Sequence, residues 1–364
     1  MLRIKHSFLL SFFAGIMVVS CAPKDKSDRV LSFDRNLVNT KDPELVCQLS
    51  EDSVLLKDIV NFTVLNDTSF VVTDGQGVYL YHISGVFKKQ LGKKGQAGGE
   101  MISPSHIYAT SDFVYIWCSS LMKFLIFDHE ANFIKELSGF KRAVKKFIVN
   151  PSNEILYIYT SGFFDDVENK TNDVIDIYNI ADESSKKYGE RGPEDEVLST
   201  WRNSGGLYID ADRLIYIHPG NLTIYDLDLN SDKTIRYNID DIAFNTTKMT
   251  SHVREVMQNL SKLTDYLGKN SFVKDLYKDN DQFIIVSEIG QNDFDERGQI
   301  SNTKKRKIKL YILDSFFNAN CTILYDYIGS PNFVIYSNAL YFTTVDIDND
   351  DQIITLNRFS LPEK

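Results

Sequence analysis

Apolar and polar positions along this 364-residue chain alternate in a phrase that recurs six times. An apolar or aromatic run is followed by two to five residues drawn mostly from Asn, Asp, Ser, Pro and Thr, then by a second β-branched and aromatic run. The copies lie at 62–72 (FTVLNDTSFVV), 107–116 (IYATSDFVYI), 147–158 (FIVNPSNEILYI), 207–217 (LYIDADRLIYI), 276–286 (LYKDNDQFIIV) and 334–342 (VIYSNALYF). Runs of this composition suit a pleated, half-buried surface, and the residues between them supply turn conformations. Six strand-turn-strand units in an all-β chain predict radial repetition, a six-bladed β-propeller.

A third apolar run follows each phrase, at 78–81, 124–128, 175–178, 222–226, 308–313 and 353–356. A more polar fourth run follows in five units, at 88–91, 134–137, 186–188, 234–237 and 322–325. Polarity rising outward predicts four-stranded antiparallel blades, with inner strands packed between neighbours and the fourth at the rim. The sixth unit lacks a fourth run, whereas 45–49 (LVCQL) precedes the first unit without a partner. Pairing the two closes the ring and removes two open edges.

Phrase starts are spaced by 45, 40, 60, 69 and 58 residues, so the later units carry insertions. The first, 162–173, is an acidic loop that includes Asp165, Asp166 and Glu168. The second, 250–268, places Val253, Val256, Met257, Leu260, Leu263 and Leu267 on one helical face, with Thr250 or Ser251 to cap its start and Gly268 its end. It predicts a helical insertion between blades 4 and 5. The third, 290–307, is long and charged, and is expected to be a mobile loop.

The N-terminus changes the picture from fold to location. Arg3, Lys5 and His6 precede an apolar stretch over 8–19, shorter than the ~20 residues of a spanning helix but suited to a signal peptide over 1–20. Residues 18–21 (VVSC) resemble a bacterial lipobox, which implies export, lipidation of Cys21 and a membrane anchor. Residues 21–40 are then expected to be a tether and 41–364 the propeller. Hydrophobic residues make up 43% of the chain, with 24 Phe and 19 Tyr, ample for a large core. The net charge of -10 argues against a nucleic-acid partner, because phosphate neutralisation needs clustered Lys and Arg. The run Lys304, Lys305, Arg306 and Lys307 is a local exception, expected in a solvated hairpin loop.

Three further cysteines, Cys47, Cys118 and Cys321, leave at least one thiol unpaired and fit no zinc spacing. Cys118 is expected to pack as a small hydrophobe; a Cys47–Cys321 bridge stays open. Asp52-Ser53-Val54 matches the O-glycosylation sites of Bacteroides-like bacteria, which makes Ser53 a modification candidate. The run Asp346, Asp348, Asp350 and Asp351 lacks the Gly and Glu that an EF-hand loop requires, and is expected to be a polar hairpin.

Two joints between units are glycine-rich, 92–100 (GKKGQAGGE) and 189–196 (GERGPEDE), and the first leads through Ser103-Pro104-Ser105-His106 into a new inner strand. This arrangement resembles the NHL-type repeat. Together with the N-terminus, the chain over about 45–360 is similar to the TolB-like six-bladed propeller lipoproteins of Bacteroides and relatives. The resemblance implies the fold and export; it implies no defined activity and carries over no catalytic residues.

No nucleophile elbow, zinc-protease helix or phosphate-binding glycine loop is present, and no motif calls for a cofactor or metal. Candidate ligand-binding residues come from repeat alignment. His106, Lys146, Arg202, Asn203 and Asn332 lie around inner-strand starts, as do Asn61, Lys145 and Lys274, and His218 lies at a blade end. Together they are expected to line a ligand-binding mouth. The leading reading is a monomeric, non-enzymatic envelope lipoprotein that holds a protein or glycan partner on one propeller face. The alternative is a metal-dependent propeller enzyme of the lactonase or polysaccharide-lyase type, using Asp58, Asn61, His106, Asn203 and Asn332.

Overall fold

A computed structural model describes residues 28–33, 37–39, 43–49, 56, 59–150, 152, 154–161, 173–189, 195, 197–198, 205–248, 253–290, 305–328, 332–348 and 351–361. It shows six antiparallel blades in sequence order. Blade 1 comprises Asn61–Asn66, Ser69–Thr73, Val78–His82 and Phe87–Leu91; blade 2, Pro104–Ala109, Phe113–Cys118, Lys123–Asp128 and Phe133–Leu137. Blade 3 comprises Ala143–Asn150, Ile155–Ser161, Ile175–Asn179 and Ser185–Tyr188; blade 4, Gly206–Asp210, Arg213–Ile217, Thr223–Asp228 and Lys233–Asp240. Blade 5 comprises Phe272–Asp279, Gln282–Ile289, Lys305–Asp314 and Ala319–Ile328. Each of the six phrases is an inner hairpin, as its paired apolar runs predict.

Blade 6 closes the ring. Phe333–Tyr336, Ala339–Asp348 and Asp351–Ser360 take Glu44–Gln48 as their outermost strand, with Leu356 opposite Cys47 and Arg358 opposite Glu44. Leu49, just past that strand, is buried in a cluster shared between blade 6 (Tyr341, Ile354, Leu356) and blade 1 (Phe62, Phe70, Tyr81). Gly85, with φ +86°, makes the closure possible. A Cβ there would sit 2.0 Å from the Gln48 carbonyl oxygen, so the blade 1 turn touches the closing strand only as glycine. The other buried clusters likewise fill the seams between consecutive blades.

Three expectations change, and one open alternative closes. Residues 28–32 and 37–39, assigned to the tether, form strands: Asp28–Ser32 adds in parallel to the rim of blade 4, and Leu37–Asn39 to that of blade 5. An outermost strand offers an unpaired row of N–H and C=O groups, and a short segment running past it can pair there with little sequence signal. The rim strands of blades 1 to 3 carry exposed Lys88, Lys89, Lys135, Lys186 and Lys187, residues that discourage such pairing. Lys305–Lys307 begin a ten-residue strand of blade 5 instead of lying in a loop.

The insertion after blade 4 is two helices, Val253–Gln258 and Leu260–Lys269. Asn259 caps the second, its Oδ1 accepting from Lys262 N at 3.0 Å, so Leu260 swings out to solvent. Gly268 lies inside that helix and Asn270 ends it. Val256, Met257, Leu263 and Leu267 pack the pair onto Val197, Leu198 and Phe272, at the start of the blade 5 inner strand. Finally, Cys47, Cys118 and Cys321 are all free thiols. Cys47 faces the seam of blades 6 and 1 and Cys321 that of blades 5 and 6, so no bridge joins them. Cys118 is fully buried among aliphatic neighbours, as expected.

The sequence 346–351 forms the hairpin between the second and third strands of blade 6, with Asp348 opposite Asp351. The acidic loop side chains at 165–168, most of 290–307 and the helix-cap candidates Thr250 and Ser251 lie outside the described residues.

Candidate functional site: the central cavity

The inner strands of all six blades surround a cavity of about 380 Å³. Three of these strands carry a β-bulge near their start, two residues before the inner run: Ser105, Lys145 and Lys274 are each the extra residue of their pair. A bulge re-aims the side chains around it. In each case the next residue, His106, Lys146 or Asp275, lines the cavity.

Lys146 of blade 3 and Asp275 of blade 5 form an ion pair through Nζ and Oδ2, with side chains 22% and 12% exposed. They meet across blade 4, whose inner strand begins at Gly206. A Cβ on Gly206 would lie 2.3 Å from Leu276 Cβ and 2.6 Å from its backbone N, so the glycine sets how closely blades 4 and 5 approach. Asp275 Oδ1 also accepts from Leu276 N at 2.6 Å. The Lys146 ammonium lies 5.7 Å from the centroid of the Tyr277 ring. Lower in the cavity, Lys278 pairs with Asp210 at 2.9 Å and stands over Phe283 at 5.4 Å. The lining cations are therefore neutralised by carboxylates on other blades.

Tyrosines supply much of the remaining wall: Tyr108, Tyr208, Tyr277 and Tyr336, from blades 2, 4, 5 and 6. Burial, then the nearby Tyr208 and Tyr115 hydroxyls, pushes Tyr108 up to about 12. Burial, then the Asp275 carboxylate, holds Tyr277 well above the usual phenol range, and its hydroxyl donates to Phe333 O. Tyr336 donates to Asp67 at 3.1 Å. These phenols stay neutral, and the last two are fixed by hydrogen bonds across blade seams.

Of the sequence candidates, His106 and Lys146 reach the cavity together. His106 is buried, with its Nδ1 3.0 Å from Ser105 Oγ. Asn61 and Asn332 stitch blades: Asn61 Oδ1 accepts from Ile107 N at 3.1 Å, and Asn332 Nδ2 donates to Ile59 O at 2.7 Å across the closing seam. Asn61 still lines the cavity; Asn332 is not among its lining residues. Lys145, the bulge residue itself, is lowered to about 8 by burial. His218 is not brought to the cavity. It is buried between blades 3 and 4, its Nδ1 2.9 Å from the Tyr159 hydroxyl, with the Tyr216 and Tyr225 rings at 5.5 and 5.0 Å. Arg202, Asn203, Ser53, Asp58 and Cys21 lie outside the described residues.

Asp275 and the four tyrosines were not singled out by the sequence, although the tyrosines left a signal. Tyr108, Tyr208, Tyr277 and Tyr336 occupy the inner run of four of the six phrases, each ahead of the turn residues. Asp275 left none, because its role depends on the bulge before it.

A closed ring of six four-stranded blades around a lined channel defines the class: a six-bladed β-propeller. The chain belongs to the family described as 6-bladed beta-propeller (DUF5128), whose model matches residues 49–286. No curated protein matches it. Among solved structures it is similar to a candidate exported protein of Bacteroides fragilis, at 13% identity and a TM-score of 0.60, covering 91% of this chain and 99% of that one. It is also similar to a member of the DUF4221 family from Bacteroides vulgatus, at 10% identity and a TM-score of 0.57, covering 89% and 98%. At these identities the likeness is one of fold. Among the described residues no helix is long and apolar enough to cross a membrane.

Proposed function

We propose that this protein is an exported lipoprotein, anchored through Cys21, that binds a glycan in its central cavity. The observation that carries the reading is the wall of that cavity: tyrosines from four blades around about 380 Å³, with the lining charges cancelled in pairs. Sugar rings present apolar C–H faces edged with hydroxyls. Aromatic faces pack against the former, and fixed phenols, amides and ion pairs bond the latter. A cavity whose charges are already paired favours a polar, uncharged ligand, because an ionic one must first break a buried pair. The volume suits one or two sugar units. Export is supported by the resemblance of 1–21 to a lipoprotein signal and by likeness to a protein described as a candidate for export.

The test is a glycan array followed by calorimetry on the glycans retained, with Tyr208→Ala and Tyr277→Ala alongside the parent protein. Loss of one stacking ring is expected to weaken binding by about tenfold while the fold persists. Empty arrays, or variants that bind as the parent does, would refute the assignment.

A further inference from the structure

The first described residues show from which side the chain arrives. In each blade the first-to-second and third-to-fourth turns share one face of the disc; in blade 4, Leu229 N donates to Asp212 O at 2.9 Å between them. The opposite face holds the inner-strand starts, the bulges at Ser105, Lys145 and Lys274, and the helical insertion packed on Phe272. Asp28–Ser32 runs parallel to Lys233–Asp240, with Asp28 opposite Arg236 and Ser32 opposite Asp240. It therefore climbs from the turn face towards the face with the inner-strand starts. The start of this strand, at Asp28, is thus its end nearer the turn side of the blade 4 rim.

We propose that the protein sits on its membrane with the turn face of blade 4 towards the lipid and the face with the inner-strand starts and the helical insertion pointing away. The proposal rests on the anchoring of Cys21 put forward above. Seven residue steps join Cys21 to Asp28, a reach of at most ~25 Å even when fully extended. To bring the opposite face to the membrane, the segment would have to reverse at the rim and climb past the Arg236-to-Asp240 level, about 13 Å. A turn and that climb consume most of the reach. Approach from the turn side needs neither. The fifth strand acts as a clamp: pairing five residues of Asp28–Ser32 to blade 4 fixes the exit point, so a short tether translates into an orientation.

The test uses the full-length protein, purified from membranes and reconstituted in vesicles containing nitroxide-labelled lipid. In a Cys321→Ser background, in which Cys47 and Cys118 remain buried, Ser231→Cys in the blade 4 turn and Ser261→Cys in the insertion are each labelled with a fluorophore. Both positions are exposed. The larger fractional loss of fluorescence is expected at position 231. Equal losses, or a larger loss at 261, would overturn the orientation. Intact mass separates the two ideas. If acyl chains are absent and Cys21→Ser leaves the protein in the membrane fraction, the anchoring reading fails and the orientation falls with it; acylated protein with the wrong quenching order sinks the orientation alone.

Discussion

Ring closure by Glu44–Gln48 can be tested through the residue that follows it. Leu49 is 3% exposed and touches both the last and the first blade, so Leu49→Ala removes buried methyl groups from the one seam formed by distant parts of the chain. Large-to-small substitutions of buried Leu cost about 2–5 kcal/mol, from lost transfer free energy and the cavity left behind. Unfolding entropy is about 2.1 cal/mol/K per residue, or roughly 0.7 kcal/mol/K for a propeller of this size. The melting midpoint should then fall by roughly 3–7 °C in scanning calorimetry. Glu44→Gln is the control. It deletes the bidentate pair with Arg358 at 2.8 and 3.0 Å on the same strand, but both partners are well exposed and the pair is screened by water, so the transition should stay in place. If Leu49→Ala melts with Glu44→Gln, the N-terminal strand does not hold the ring shut and the closure is wrong.

Gly206→Ala should lower the melting temperature and abolish ligand retention together, since a Cβ 2.3 Å from Leu276 Cβ forces blade 5 back by about an ångström and the Lys146–Asp275 pair must part; calorimetry and a binding titration on one sample would expose a variant that keeps both. Lys145→Met should stabilise the protein at pH 7. Burial lowers this amine from 10.5 to about 8, so the folded state carries a penalised charge below pH 8, and above it the unfolded chain holds the proton longer. The parent should therefore gain on the variant as pH rises through 8. Cys47 and Cys118, raised by burial from 9.0 to about 11 and about 12, act in the opposite sense from about pH 9 upward, but parent and variant share them, so the gap between the two in urea titrations from pH 7 to 9 reports Lys145; a constant gap would contradict the assignment.

The sequence by itself determined the local pieces. Paired apolar and aromatic runs, broken by turn residues, marked every inner hairpin, and rising polarity marked the order of strands outward. Both are nearest-neighbour properties, written wherever a strand must show one face to a seam and its ends to water. The placement of 45–49 on the last blade was also legible, because one surplus strand and one missing strand had a single mutual solution. The parallel strands at 28–32 and 37–39 were not, since edge pairing uses backbone groups that every sequence possesses.

The cavity belongs to the tertiary structure for the same reason. Lys146 and Asp275 are far apart in the chain and meet only because blade 4 presents Gly206 between them and because bulges turn both side chains inward. Repeat alignment found His106 and Lys146 but ranked His218 with them. Only three-dimensional packing separated a histidine enclosed by Tyr159, Tyr216 and Tyr225 from one at the channel wall. A strand's pattern states which of its faces is buried, whereas what meets at the axis of a closed ring depends on all six strands at once.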